Sequence, residues 1–453
     1  MNTTQVPLHP LQTEWDADVR AGNPLDFPGY EPPGEESVLT GRTASYALIE
    51  GRFDVLGGSM GVAHGERVVR AYRRARDERL PVVVVAASGG ARLQEGMLAL
   101  VQLPRTAAAA RDHAAAGLLQ VAVLRGPTTG GVYASYASLA DVAAAEPGAM
   151  IGFAGPRVVE LTTGEAVPRD SHTAESAFAA GLVDALVTRE RQAAWVEAAL
   201  GTTPWPPARP RVRSGHSHAV PEGALGEVQR ARSELRPTGA EWAAALCSSW
   251  TPLRGRGDGV EAGLATIDGR RLVVVGMTRR RVRPDDYRLA RRAAALAGRV
   301  GLPLLTFVDT PGADPSPASE AGGVAREIAS TFAALDALAS VSVSVCVGEG
   351  GSGGALALAH ADRLLLLEHA VFSVIGPEGA AAILDRSGDA AAVARRAEQL
   401  KLRARDLASL GVIDGVLPED EAAVRAAILR AIDDASPGDR RRRPDAATAA
   451  WLR

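Results

Sequence analysis

Two stretches of unusually bare backbone stand out as places where chemistry could be done. GEGGSGGALALAH, residues 348–360, has five glycines in its first seven positions and then turns into alanine and leucine. GPTTGGVYASYASLAD, residues 126–141, is a shorter relative. Each falls where an apolar run, predicted as a strand, hands over to a predicted helix. The first N–H groups of a helix have no internal partner, and the helix dipole favours negative charge there. Glycine lets a ligand approach without a Cβ in the way. Two such donors aimed at one oxygen make an oxyanion hole, and losing one donor typically costs about 100-fold or more in rate. Glycine pairs at such junctions also serve plain turns and close helix–sheet packing, so the loops alone leave both readings open. Neither loop is a phosphate motif: GEGGSGGA lacks the P-loop lysine, and neither has the spacing and downstream acid of a dinucleotide fingerprint.

Other reactive side chains are sparse. None of the eight histidines falls in a Ser-His-Asp or metal-ligating pattern. His216 and His218 sit in a proline- and arginine-rich stretch, and His360 and His369 are read as a helix-end and a turn residue. Cys247 and Cys346 are the only cysteines, which excludes a disulfide framework and a four-cysteine zinc site and fits a reducing cytoplasm.

The elements that must position the loops repeat. LPVVVVAA (80–87) and QVAVLRG (120–126) are continuous apolar runs suited to strands buried on both faces, and GERVVRAYRRARDERL before them has helical spacing. The second half repeats the plan with RRLVVVGM (270–277), the helix DDYRLARRAAALAGRVG, the strand LPLLTFVDTPG (302–312), and then strand, glycine loop, helix and strand. Two α/β domains of similar architecture follow. We expect an N-terminal arm over 1–36, a domain over 37–190, a linker over 191–225, a second domain over 226–435, and a mobile tail over 436–453. SGGAR (88–92) and TPGAD (310–314) end their strands at matching places.

Composition bounds the partners. The chain has 453 residues, 46% hydrophobic and 23% charged, so it can bury large cores. A formal charge of −3 argues against bulk nucleic-acid binding, and a solvated tail explains the RRRR run at 440–443. No apolar run reaches a membrane span, and the N-terminus lacks the apolar core of a secretory signal. A cytoplasmic protein is expected.

The first half closely resembles the β subunit of bacterial acetyl-CoA carboxylase carboxyltransferase, through LGGSMGVAHGERVVRA (56–71), ASGGARLQEGMLALVQLPRT (87–106), GPTTGGVYASYASLAD (126–141) and AEPGAMIGFAGPRVVELT (145–162). The second half is similar to the α subunit, through EVQRARSELRPTGAEW (227–242), FVDTPGADPSPASEAGG (307–323), GEGGSGGALAL (348–358), FSVIGPEGAAAIL (372–384) and EQLKLRARDLASLGVIDGVLPE (398–419). The resemblance covers residues 37 to about 430 and implies a β–α fusion of two tandem crotonase-like (ClpP/crotonase, spiral ββα) domains. The sequence departs from the family at three points. The β-type zinc ribbon has no counterpart, the α-type loop reads TPGADPSPASEAGG, and arginines 279, 280, 281 and 283 stand where the family usually has lysines.

The resemblance implies transfer of CO2 from carboxybiotin to the α carbon of a short acyl-CoA, acetyl-CoA before propionyl-CoA, through an enolate. Gly130, Gly131 and Val132 would hold the thioester oxygen, and Gly353, Gly354 and Ala355 the biotin carbonyl. The biotin nitrogen would take the α proton, so no side-chain base is needed. Ser88, Gly89, Gly90, Gly312 and Ala313 would line the pocket, with Arg92, Gln94 and Glu95 supporting the first loop. Arg279, Arg281 and Arg283 would meet CoA phosphates or form a solvated cluster, and Ala357 would leave room for a small acyl group. Lys401, the sole lysine, lies in a predicted helix rather than between methionines, so biotin must arrive on a separate carrier protein charged by a separate biotin carboxylase. The family pairs the N-domain of one protomer with the C-domain of another, which implies a homodimer or hexamer. The rival readings are a malonyl-thioester decarboxylase of the same fold, a crotonase-type hydratase or isomerase, and a non-catalytic binding protein.

Overall fold

The computed structural model describes residues 8–207 and 222–452. The chain divides into two compact units between Thr203 and Pro204. His216 and His218 lie outside the described residues. The helix Gln192–Leu200, inside the expected linker, belongs to the first unit and buries Trp195 completely.

The first unit is built on one eight-stranded sheet. Its strands are β1 (Thr13–Glu14), β2 (Val38–Arg42), β3 (Ala47–Gly51), β4 (Val82–Ser88), β5 (Gln120–Thr129), β6 (Val142–Ala145), β7 (Ile151–Gly152) and β8 (Ala185–Leu186). They run in the order β1-β2-β3-β4-β5-β6-β8, with β7 paired to β5. The β1–β2 and β2–β3 pairs are antiparallel and the remaining pairs parallel. Every residue of β4 is buried, as expected of a central parallel strand covered on both faces. Residues 8–36, expected as an arm, pack on this unit. They supply the edge strand β1 and bury Trp15 and Tyr30, and the Arg67 guanidinium donates to the Ala17 and Val19 carbonyls at 3.0 Å each.

The second unit repeats this topology strand for strand. It contains β9 (Ser249–Leu253), β10 (Val260–Ile267), β11 (Arg270–Met277), β12 (Leu304–Thr310), β13 (Ser342–Gly351), β14 (Arg363–Leu367), β15 (Val371–Ser373) and β16 (Gly415–Leu417). The order is β16-β14-β13-β12-β11-β10-β9, with β15 paired to β13. The helix Pro284–Val300, with proline at its start and left-handed Gly301 just past its end, leads into β12. No helix among the described residues is long and apolar enough to cross a membrane.

The expected mobile tail is instead a helix, Asp439–Ala449, clamped to the second unit. Arg440 is fully buried. Its Nε and Nη2 bond the two Asp362 oxygens at 2.9 and 2.8 Å, and its other N–H groups reach the carbonyls of Leu335, Leu338 and Ser340. Arg441 pairs with Asp336 and Arg443 with Asp414. Arg440, Arg441 and Arg443 are therefore tied to three aspartates on other segments, while Arg442 stands exposed. Replacing Arg440 with leucine leaves Asp362 buried without a counter-charge, a loss of about 3–5 kcal/mol. The denaturant midpoint of Arg440→Leu should fall accordingly, while Arg442→Leu, at an 84% exposed side chain, should leave it almost unmoved.

Candidate active site

The two glycine loops are the same structural device, built once in each unit. In the first, β4 ends in Ser88, whose Oγ accepts the Gly90 N–H at 3.0 Å. Gly90 (φ +118°) turns the chain, and its carbonyl accepts the Met60 N–H at 2.8 Å, while Arg92 N–H meets the Met60 carbonyl at 2.9 Å. In the second, β12 ends in Thr310, whose Oγ1 accepts the Gly312 N–H at 3.1 Å. Gly312 (φ +123°) turns, its carbonyl accepts the Val282 N–H at 3.0 Å, and Asp314 N–H meets the Val282 carbonyl at 2.9 Å.

Strand register then aligns the loops themselves. Ser88 lies opposite Thr128 across β4 and β5, and Thr310 lies opposite Gly350 across β12 and β13. Counting on, Gly130 corresponds to Ser352, Gly131 to Gly353 and Val132 to Gly354. Gly130 (φ +56°) and Ser352 (φ +60°) share the left-handed backbone that starts each helix. The expected triplet 353–355 is thus one residue out of step with 130–132. Ser352 is the counterpart of Gly130, and Ala355, fully buried, corresponds to Tyr133.

Most of these glycines answer to the fold. A Cβ on Gly130 would lie 2.7 Å from Gly90 Cα, and one on Gly131 would lie 2.9 Å from Leu103 Cδ1. A Cβ on Gly348 would strike Asp309, on Gly350 Phe372, on Gly351 Pro311, and on Gly354 the Ala313 amide. Gly353 is different: nothing lies within 4 Å of where its Cβ would be. It heads the helix Ser352–Ala359 with open space in front of it.

The other expected site residues divide. Gly89 and Gly90 spend their N–H groups on the Gly57 carbonyl and Ser88 Oγ, so they shape the loop rather than offer donors. Ala313 borders Gly354, and its carbonyl accepts from Arg281 at 3.3 Å. Arg281 and Arg283 are exposed, Arg283 lying 3.4 Å from Asp314. Arg279 is not available to a ligand phosphate. It pairs with buried Asp309 at 3.0 Å and donates to the carbonyls of Ser233, Arg236 and Pro237. Ala357 is fully buried.

Buried ion pairs stand behind each loop. In the first unit Arg92 pairs with Glu36 and, at 3.0 Å, with Glu95. Glu95 in turn accepts Tyr30 Oη at 2.8 Å and the Val62 N–H at 2.6 Å. Gln94, expected in this network, takes no part, and Glu36, which sequence separation concealed, does. His64 is buried between Ser37 Oγ (2.8 Å) and Tyr136 Oη (3.0 Å), and desolvation lowers its pKa to about 3, so it stays neutral. In the second unit burial pushes the Asp309 pKa up to about 6, against the pull of Arg279. Among the described residues no group of three or more His, Cys, Asp or Glu is arranged to hold a metal.

Two tandem α/β units of one strand order carry matched glycine loops. Residues 40–220 match the family described as carboxyl transferase domain, and residues 223–435 the family described as acetyl co-enzyme A carboxylase carboxyltransferase-like. The chain is 41% identical over 418 residues to the acetyl-coenzyme A carboxylase carboxyl transferase subunits beta/alpha of Salinispora tropica, covering 85% of this chain and 73% of that one. It is 38% identical over 403 residues to a Mycobacterium bovis protein named a probable biotin-dependent acyl-coenzyme A carboxylase beta3 subunit, covering 85% and 80%. A solved structure of transcarboxylase 12S, described as a hexamer assembly with methylmalonyl-coenzyme A and methylmalonic acid bound, superposes with a TM-score of 0.77 at 22% identity, over 93% of this chain and 86% of that one. The chain belongs to the acetyl-CoA carboxylase carboxyltransferase family, with β-type and α-type halves joined in one polypeptide. It is an enzyme of carboxyl transfer.

Two measurements test the geometry. Gly130→Ala forces a side chain into a left-handed, closed position and should cost about 2–4 kcal/mol, whereas Gly353→Ala should leave the melting temperature unchanged. Asp309 binds its proton more tightly folded than unfolded, so its contribution is present below its ordinary 3.8 and is lost as pH rises through about 6. Asp309→Asn should therefore flatten the fall in melting temperature between roughly pH 4 and pH 6.

Proposed function

We propose that this chain is the carboxyltransferase component of a biotin-dependent acyl-CoA carboxylase and acts on a short acyl-CoA, acetyl-CoA before propionyl-CoA. Gly353 carries the reading. It is a glycine the fold does not require, in the first turn of a helix of eight residues, with nothing within 4 Å of where a side chain would begin. A planar carbonyl can approach the helix start there without meeting a side chain, which any residue other than glycine would place in its way. Carboxybiotin, delivered on a separate carrier protein, supplies the carboxyl group and, once decarboxylated, a basic nitrogen for the substrate's α proton.

The chain's own residues do the rest. The first-turn amides of Gly131 and Val132 hold the acyl thioester oxygen as negative charge grows on it, since they have no carbonyl of their own helix to meet. The amides of Gly353 and Gly354 hold the ureido oxygen. Ser88 and Thr310 fix the turns that bring each loop into place. Arg281 and Arg283 offer exposed guanidinium groups to the CoA phosphates. The working form is a homo-oligomer, dimer or hexamer, that receives carboxybiotin from a carrier charged by a separate biotin carboxylase.

The purified protein, mixed with carboxybiotin carrier and acetyl-CoA or propionyl-CoA, should yield malonyl- or methylmalonyl-CoA, acetyl-CoA giving the higher kcat/KM. Malonyl-CoA alone should release no CO2; its release without biotin would establish the decarboxylase reading instead. Gly353→Ala should lose about 100-fold or more in kcat with an unchanged melting temperature.

A further inference from the structure

We propose that Tyr287 is a positioning residue that sets the direction of the Gly353 and Gly354 amides through a hydrogen bond from its hydroxyl to the Gly354 carbonyl. The inference rests on the carboxyl-transfer reading and assigns a residue to the second amide cluster that no glycine pattern reveals.

Tyr287 sits in the first turn of the helix Pro284–Val300, and its ring is completely buried. A buried tyrosine hydroxyl needs a partner, and this one has the Gly354 carbonyl at 3.0 Å. That carbonyl lies in the first turn of the helix Ser352–Ala359, so the bond reaches the turn that carries Gly353, where a side-chain position stands open. The lever is itself anchored. Asp286 accepts the Gly259 N–H at 3.0 Å and the Arg283 N–H at 2.8 Å, which pins the start of the tyrosine's helix. Burial, with Asp286 beside it, pushes the tyrosine pKa up, so the hydroxyl remains a donor across the working pH range.

The first unit indicates why this bond is more than packing. Matching Met60 to Val282 places Gly65 where the second unit has Tyr287, and Gln102 fills the space a Cβ on Gly65 would need. There the residue equivalent to Gly354 is Val132, whose buried side chain fills its own space. In the second unit Gly354 has no side chain, and Tyr287 Oη stands 3.0 Å from where one would begin. The two units therefore differ here: a valine with glycine at the matched helix position in the first, a glycine with tyrosine at that position in the second. Only the second ties the helix start to its neighbour by a directed bond. The Ala313 amide closes on the same position, so Tyr287 and Ala313 together leave no room for a side chain at Gly354.

Tyr287→Phe keeps the ring and removes the bond. Hydrogen exchange followed by mass spectrometry should show faster exchange in the peptide spanning residues 350–360. The carboxyltransferase assay should show kcat down by about ten- to a hundredfold with KM for acyl-CoA unchanged. Thr331→Val, which removes a buried hydroxyl elsewhere in the same unit, controls for general destabilisation and should leave kcat unchanged. Unaltered exchange in the 350–360 peptide overturns the proposal, and so does faster exchange with kcat at the wild-type value. An equal kcat loss in Thr331→Val also overturns it, by reducing the effect to stability. Wild-type protein that transfers no carboxyl group overturns the functional reading and the proposal with it.

Discussion

Everything at the two loops depends on one steric demand: at each strand-to-helix junction two backbones must touch with no side chain between them. Gly130 lies against Gly90, and Gly351 lies against Pro311 and Gly312. Only that approach lets the Ser88 and Thr310 turns brace the start of the following helix. A methyl group at any of these contacts would push the helix start off the sheet and carry its amides with it. Dense packing turns such a push into a displacement of the whole turn rather than a local adjustment. The N–H directions are thus fixed before any ligand arrives, which is what electrostatic preorganisation requires.

The same topology is supported by different electrostatics in the two units. Behind the first loop Arg92 is enclosed by Glu36 and Glu95, and the carboxylates reach on to Tyr30 and to the start of the helix Val62–Asp77. Behind the second, Asp309 meets Arg279, which also gathers three carbonyls from the 233–237 segment. Buried ion pairs of this kind contribute little net stability against well-packed apolar groups. Their effect is geometric: each locks a loop to one orientation by penalising any arrangement that leaves a charge unpaired.

The strands and the existence of the loops were legible because their signals are local. Uniformly apolar runs such as VVVV at 82–85 have one comfortable place, inside a parallel sheet. Two glycine clusters after such runs mark the helix starts. The family resemblance carried the chemistry and the spiral fold. What the sequence concealed depends on long-range pairing. The one-residue offset that admits Ser352 follows from strand register, which the letters TTGGV and GSGGA do not encode. Arg279 looked like a phosphate ligand until β12 brought Asp309 beside it. Glu36 meets Arg92 across 56 residues, and Tyr287 meets Gly354 across 67. The arginine run at 440–443 looked solvated because nothing near it in sequence reveals Asp362.

That last pairing sets an order of events during biosynthesis. Asp362 immediately precedes β14, yet the guanidinium that neutralises it lies 78 residues further along the chain. A ribosome emits the first unit, with all of its internal ion pairs, long before residue 440 leaves the exit tunnel. The second unit must wait for almost the whole of its sequence before its sheet can close around a compensated charge. The nascent protein is therefore asymmetric in time, although its two halves repeat one strand order.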